Sequence, residues 1–289
     1  MSLYDNLESV LEECAITEKS YRRGGRVPCS VVIRIFFHRG YILYMGRPGS
    51  LPLHAHSAAA VCAGLEGDIK IRTGADDWTR CRSAVIASGC EHALETRDVT
   101  FVTLLLEPQA ECPTALAPLP DAGIDVAHPF SARLIETASW LNDDRPDASV
   151  AEKLESLLES PTHETGDARI RHAIEILLSE RELSGAELAR RAGVSHSWLA
   201  HNFKKQTGVS LPRFKIWFRL KTAAHYLGQG FTLVDAALEA GFYDQAHFSN
   251  AFRDVFGIQP GIVFDKAGPI RVYMSDRKAT LEFLAISGH

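Results

Sequence analysis

Three histidines and two sets of outward-facing residues carry the chemistry that can be read from this 289-residue chain. His54 and His56 lie one residue apart in Gly49-Ser50-Leu51-Pro52-Leu53-His54-Ala55-His56, and His92 closes Gly89-Cys90-Glu91-His92. Neutral imidazole ligates borderline transition-metal ions, and three imidazoles hold a divalent ion with one position left open. Alternate residues on a strand face the same way, so His54 and His56 can enter one interior together. The same three rings serve equally well as the lining of an effector pocket or as hydrogen-bonded core histidines. Both readings stay open on these residues alone.

The outward-facing sets lie in the last third of the chain. The first is His196, Ser197, Trp198, Ala200, His201 and Lys204; the second is Gln245, Ala246, His247, Ser249, Asn250 and Arg253. Each set needs a short helix to present it, and each has the signals for one. In the first unit Ser184 and Glu187 form a capping box, Leu188, Ala189 and Ala192 face inward, and Gly193 permits a tight turn. Ser195 then caps a helix whose inner face is Leu199 and Phe203. In the second unit Thr232 and Asp235 cap one helix, with Ala236, Ala237 and Ala240 inside. Asp244 caps the next, with Phe248, Ala251 and Phe252 inside. Gly193 and Gly241 are 48 positions apart; Phe203 and Phe252, and Gly208 and Gly257, are each 49 apart. A period held over so many matched features is an internal repeat.

Two helix-turn-helix units in tandem predict insertion of the second helix of each, near 195–206 and 244–256, into the major groove of DNA. Between them Ser210, Pro212 and Gly228 mark the start and stop of a linking helix, with Phe214, Trp217, Leu220, Ala224 and Leu227 as its apolar stripe. A helix of about 17 residues spans roughly 25 Å, against roughly 34 Å between adjacent major-groove faces. One rigid helix can therefore hold both reading helices on one side of a duplex.

The first half is different in kind. Segments 31–37, 41–45, 69–72 and 99–106 are rich in β-branched and aromatic residues and are separated by turn formers, which predicts a sandwich or barrel. Leu134, Ala138 and Leu141, then Val150, Leu154, Leu157 and Leu158, fall at helical spacing, and residues 142–146 divide them into two helices. Their apolar stripes suggest either core packing or a dimer contact. Residues 161–167 read as a linker, and Asp167 caps a helix from Ala168 to Glu180 with Ile170, Ala173, Ile174 and Leu177 on one face. The tail carries 270–274 and 281–286, which suggest a hairpin.

Composition sets the outer bounds. Apolar residues make up 46% and charged residues 23%, ordinary for a globular protein. No run of about 18 apolar residues and no secretory signal are present, which predicts a cytoplasmic protein without a membrane span. The net charge of −5 is unevenly spread: residues 1–165 carry 15 Lys/Arg against 24 Asp/Glu, and residues 166–265 carry 12 against 10. The positive side thus falls where phosphate contacts are needed. The six cysteines form no Cys-x-x-Cys pair and read as free thiols, with a redox or thiophilic-metal sensor as the sharper alternative.

The C-terminal constellation resembles the AraC-type family of bacterial transcription regulators over roughly 167–265. The matching residues are Leu188-Ala189, Gly193-Val194-Ser195, Leu199, Phe203-Lys204, Gly208, Arg219-Leu220, Ala223, Leu227, Ala236-Ala237, Gly241-Phe242, His247-Phe248, Phe252-Arg253, Phe256-Gly257 and Pro260. The resemblance implies DNA binding, often as a homodimer, with an N-terminal effector or dimerisation domain, and RNA polymerase as a partner of any activator. The family often has Arg where this chain has His201 and Asn250, which changes the expected base preference, since Asn reads adenine and Arg guanine.

Residues 49–56 and 89–92 resemble the two cupin motifs, over roughly 45–107. Metal-binding cupins typically use three His and one Glu; here Val61 falls at the Glu position and Ala87 replaces the proline before His92.

The expected fold class is α+β multidomain. A cupin-like β-barrel with flanking helices occupies 1–160, a linker 161–167, an all-α double helix-turn-helix domain of seven helices 168–265, and an extension 266–289. The expected function is sequence-specific DNA-binding transcription regulation in response to a small-molecule effector, with no catalytic residues. The cofactor expectation is a divalent transition metal on His54, His56 and His92, or none. A metal-dependent cupin enzyme fused to a DNA-binding module is the rival from another class, and Val61 counts against it. An effector-free architectural protein is a third reading.

Overall fold

The computed structural model describes residues 33–97 apart from 39, 99–107, 123–142, 152–153, 156–157, 167–180, 183–264 and 270–274. The strands are β1 (Ile33–His38), β2 (Tyr41–Gly46), β3 (Ser50–His54), β4 (Ala59–Gly64), β5 (Ile69–Thr73), β6 (Thr79–Cys81), β7 (Ser83–Ile86), β8 (His92–Glu95), β9 (Phe101–Leu106), β10 (Ile124–Asp125) and β11 (Ile270–Met274). They form a seven-stranded sheet in the order β10-β7-β4-β9-β2-β1-β11 and a four-stranded sheet in the order β3-β8-β5-β6. The β-rich first half is as expected, but its strands divide between two open sheets and do not close into one barrel among the described residues.

The central strand β4 shows why. Every residue of Ala-Ala-Val-Cys-Ala-Gly is buried. Ala60 and Cys62 face one apolar cluster while Ala59, Val61 and Ala63 face another. A strand covered on both faces reads as a continuous apolar run. The cover on the second face is α1 (Phe130–Asn142). Its Phe130, Leu134, Ala138 and Leu141 pack with Phe36, Leu43, Val85 and Leu104. Arg34 donates to the Asn142 side chain at 3.0 Å and ties the end of the helix to β1. The apolar stripe of α1 is therefore consumed within the chain, and it does not supply the dimer contact that its spacing suggested. The second helix expected in 150–158 lies largely outside the described residues.

Of the hairpin expected at the C-terminus, only its first strand lies among the described residues. β11 adds to the edge of the large sheet, parallel to β1, with Ile33 opposite Ile270 and Phe37 opposite Met274. A partner at the other end of the chain leaves no local signature. Residues 281–286 lie outside the described residues.

The helical half follows its caps. α2 (Ala168–Ser179) starts at Asp167, whose side chain accepts from the Arg169 amide. α3 (Gly185–Arg191) and α4 (His196–Thr207) start at Ser184 and Ser195, which accept from Glu187 and Trp198. α5 (Leu211–Gly228) carries Pro in its first turn and ends at Gly228 as expected, although Ser210 makes no side-chain cap bond. α6 (Leu233–Glu239) and α7 (Gln245–Phe256) start at Thr232 and Asp244, which accept from Asp235 and His247. α8 (Pro260–Phe264) follows. Each N-cap oxygen satisfies one of the amides that a helix start leaves unpaired. Leu199, Phe203, Phe214, Trp217, Phe248 and Phe252 form the centre of this half. They belong to the same apolar cluster as Ile35, Ile42, Leu94 and Leu105 of the sheets. No helix among the described residues is long and apolar enough to cross a membrane.

Candidate functional site

The two candidate reading helices are α4 and α7. On α4, His196, Ser197, Ala200, His201 and Lys204 are exposed; on α7, Gln245, Ala246, His247, Asn250 and Arg253 are exposed. Trp198 and Ser249 are half-buried. Trp198 is covered by the Arg169 guanidinium, 4.0 Å above its ring, which makes it a packing residue on the side of α4 next to α2. Asn250 accepts from Arg253 at 3.2 Å, so these two present a linked donor–acceptor pair.

The charge around the first unit is less available than a residue count implies. Glu187 accepts from both Arg190 and Arg191, at 2.7 and 3.0 Å. Those bonds, Arg190 first, hold its carboxyl down at about 2. Arg191 also pairs with Glu180. The cations that end the reading helices are Lys204 and Lys205 on α4 and Arg253 on α7.

The three histidines do converge. His54 ends β3 and stands opposite His92 on β8; His56 lies two residues past the strand end. The ring centroids are 4.9 Å apart for His54 and His56, 4.3 Å for His54 and His92, and 5.0 Å for His56 and His92. All three are buried. Each ring is held on one side by a backbone group. His54 Nδ1 lies 2.7 Å from the Pro52 carbonyl, and His92 Nδ1 lies 2.9 Å from the Cys90 carbonyl. The Val255 backbone hydrogen-bonds His56. His54 Nε2, His56 Nδ1 and His92 Nε2 have no hydrogen-bond partner among the described residues. Burial lowers all three pKa values, and that of His54 falls to about 3. The rings are therefore neutral near pH 7, which is the ligating form. Val61, where the cupin resemblance placed a Glu, faces the α1 side of the large sheet. The residue at that position bears little on a ligand set in this chain.

Two features were missed from sequence. The first is the contact between the helical half and the β half. Gly257, the left-handed C-cap of α7, lies against His54: a Cβ placed there would come within 2.7 Å of the His54 ring. Gly208, the left-handed C-cap of α4, lies against Ser88: a Cβ there would come within 2.8 Å of the Ser88 Cβ. Ser88 also donates to the Thr207 carbonyl at 3.1 Å, and Arg213 donates to the Ala55 carbonyl. The repeat exposed the need for glycine at 208 and 257, but nothing local says that both glycines also admit a neighbour.

The second missed feature is a cavity of about 90 Å³ between the large sheet and helices α5 and α7. Ile35, Ile42, Phe101 and Leu105 line one side, and Trp217, Leu220, Ala224, Phe252 and Phe256 the other. Its few polar residues include Lys221, which pairs with the buried Glu107, and His56 of the cluster. By comparison with the space one water needs, it has room for roughly six to nine heavy atoms. The thiols described are Cys62, Cys81 and Cys90; all are free, and burial pushes their pKa values up, the opposite of a reactive thiolate.

A family profile described as a helix-turn-helix domain matches residues 188–265. The HTH-type transcriptional regulator GlxA of Rhizobium meliloti (strain 1021) is 34% identical over 90 residues, 31% of this chain and 28% of that protein. The HTH-type transcriptional activator RhaS of Escherichia fergusonii is 34% identical over 114 residues, 38% of this chain and 40% of that protein. The chain thus spans well under half the length of these curated relatives. Among solved structures, ToxT from Vibrio cholerae O395 superposes with a TM-score of 0.51 at 12% identity, over 78% of this chain and 98% of that one. The same protein bound to (E)-4-(8-methylnaphthalen-1-yl)but-3-enoic acid superposes with a TM-score of 0.50 at 10% identity, again over 78% and 98%. That likeness shows a shared fold: a β-sheet half followed by a helical half. The sequence matches, which fall on the repeat, show more: residues 188–265 of this chain are a helix-turn-helix domain.

Proposed function

We propose that this chain is a sequence-specific DNA-binding transcription regulator of the AraC type. α4 and α7 enter adjacent major-groove faces, and α5 sets their spacing. The observation that carries the reading is the pair of capped helices 49 residues apart, each buried on one face through Phe203 or Phe252 and exposed on the other. The contacts proposed are His196, Ser197, Ala200, His201 and Lys204 on the first helix and Gln245, Ala246, His247, Ser249, Asn250 and Arg253 on the second. The test is binding of the full chain to a library of random duplexes across a salt series. An enriched motif is expected, with affinity falling steeply as salt rises. Absence of any enriched sequence at low salt would overturn the reading.

The effector belongs in the cavity between the sheet and α5/α7, and its class is an apolar molecule with an anionic head. The apolar lining fits the body, and Lys221 is the cation that an anionic head would take over from Glu107. The naphthyl-butenoic acid bound by ToxT has this character. Trp217 lines the cavity, so hexanoate should change tryptophan emission where hexanol does not, and Lys221→Met should abolish the difference. Assembly as a homodimer, location in the cytoplasm and contact with RNA polymerase in an activator rest on the family resemblance. Light scattering at micromolar concentration tests the first.

A further inference from the structure

The buried histidines present a problem of electrostatics. Each ring is held to the backbone through one nitrogen and leaves the other without a partner among the described residues. The ligand atoms they offer lie within 4.8 Å of one another. A buried acceptor without a donor is destabilising, and here three of them gather about one point. A cation at that point removes the cost of all three. Nitrogen-only ligation excludes magnesium and calcium, which take oxygen, and fits a borderline first-row ion. Three nitrogens on one tetrahedral ion at about 2.0–2.1 Å stand roughly 3.4 Å apart, so the rings need to close by on the order of 1 Å. The backbone groups on the far nitrogens are the outer-shell partners that orient ligating imidazoles. Arg213 opposes positive charge at His54 and His56, which favours an anion or hydroxide in the fourth position.

The position of the cluster gives the ion a second role. One of its three backbone anchors, Val255, belongs to α7. His54 is the ring against which Gly257 packs. Ser88 and Gly89, the seat of Gly208 at the end of α4, lie four and three residues before His92. The two glycines are equivalent positions of the repeat. A bond network from His54 through an ion to His92 therefore joins the seats of both candidate reading helices.

We propose that His54, His56 and His92 bind one zinc-type divalent ion, and that this ion locks the C-terminal ends of α4 and α7 onto the β half. The metal site and the lock stand on this geometry alone; their consequence for operator binding rests on the DNA reading above.

The experiment uses the full chain, stripped with dipicolinate and reloaded with Zn²⁺ or Co²⁺. About one ion per chain is expected, and cobalt should give the visible absorption of a four-coordinate site. His92→Gln should lose the ion, His92→Cys should keep it because a thiolate also ligates zinc, and His225→Gln, a buried histidine elsewhere on α5, should keep it. Circular dichroism checks that each variant is folded. Hydrogen exchange then tests the lock: loading should slow the amides of 55–57, 88–90, 208–209 and 254–257 by about tenfold or more. Failure to bind either ion, or equal binding by folded His92→Gln, would overturn the site. Stoichiometric binding that leaves those amides unchanged would overturn the lock. Random-duplex selection on stripped and loaded protein separates these outcomes from failure of the DNA reading, which would leave both forms without a motif.

Discussion

The two helix-turn-helix units share an interior and differ on the surface. Both have a capped first helix, a capped second helix and a left-handed glycine at its end, with φ of 77° at Gly208 and 70° at Gly257. Both glycines seat on the β half. The outer faces diverge. The first unit is tied down by charge, with Glu187 between Arg190 and Arg191 and Arg169 over Trp198. The second exposes apolar side chains: Val234 is 46% exposed, Leu238 52% and Tyr243 87%. What the repeat keeps is what folding and docking need; what it varies is what a partner would meet.

The largest effect comes from removing an equivalent core side chain from each unit. Phe203 and Phe252, 49 positions apart, are both buried. Truncating either to Ala should cost about 3–5 kcal/mol. Because both lie in one apolar cluster that continues into the sheets, each variant should lower a single cooperative transition in denaturant. Two separated transitions, with only one moved by each variant, would show that the units are energetically independent.

That shared cluster also marks where the sequence stopped being legible. The caps at Ser184, Ser195, Thr232 and Asp244 act over three residues, and periodicity acts over two turns, so all the helices of the repeat were readable. β1, β2, β5 and β9 were readable for the same reason, whereas β4, β6 and β7, short or alanine-rich, were not singled out. His54, His56 and His92 were singled out as a set because the residue type is informative wherever the chain puts it. Gly257 against His54 and Gly208 against Ser88 join residues far apart in sequence. No local pattern encodes such a contact. The stripe on α1 is the converse case: Leu134, Ala138 and Leu141 were visible, but their partners on β4 and β9 were not.

A smaller effect distinguishes the linking helix from the units it joins. His225 on α5 is buried, and burial lowers its pKa to about 4. The unfolded chain binds the proton near pH 6.5, more readily than the folded one. Stability should therefore be full above about pH 6.5 and fall as pH drops toward about 4, by up to roughly 3 kcal/mol from this group. His225→Gln should flatten the pH dependence of the denaturation midpoint in that window relative to the parent. A slope unchanged by the substitution would show that the ring is neutral for another reason or is solvated.

On the proposed DNA face the units differ in what can discriminate a base. Asn250→Ala should cost about 1–3 kcal/mol on the best site and relax the preference at one position, most often adenine. The effect should include Arg253, since the Asn250 side chain accepts from it. His201→Ala should likewise relax the preference at a separate position, in the half-site read by α4. Uniform weakening on all sequences, with a shallower salt dependence, would assign either residue to phosphate.

The smallest predicted effect separates the two N-caps. Ser195 and Asp244 accept the same helical amide bond, at 3.2 Å from Trp198 and 2.7 Å from His247. For the fold they are near equivalents, so Asp244→Ser should change stability by only a few tenths of a kcal/mol. For DNA they are opposites. Serine is neutral, whereas Asp244 places a full negative charge at the N-terminus of α7, where the helix dipole would otherwise favour a phosphate. If α7 enters the groove by that end, Asp244→Ser should tighten binding by roughly 0.3–1 kcal/mol at low salt, and the gain should shrink as salt rises. Ser195→Asp should do the reverse on α4. A stability-neutral Asp244→Ser variant with unaltered affinity at every salt concentration would mean that the first turn of α7 lies away from the phosphates, and the two units would then differ in docking as well as in surface.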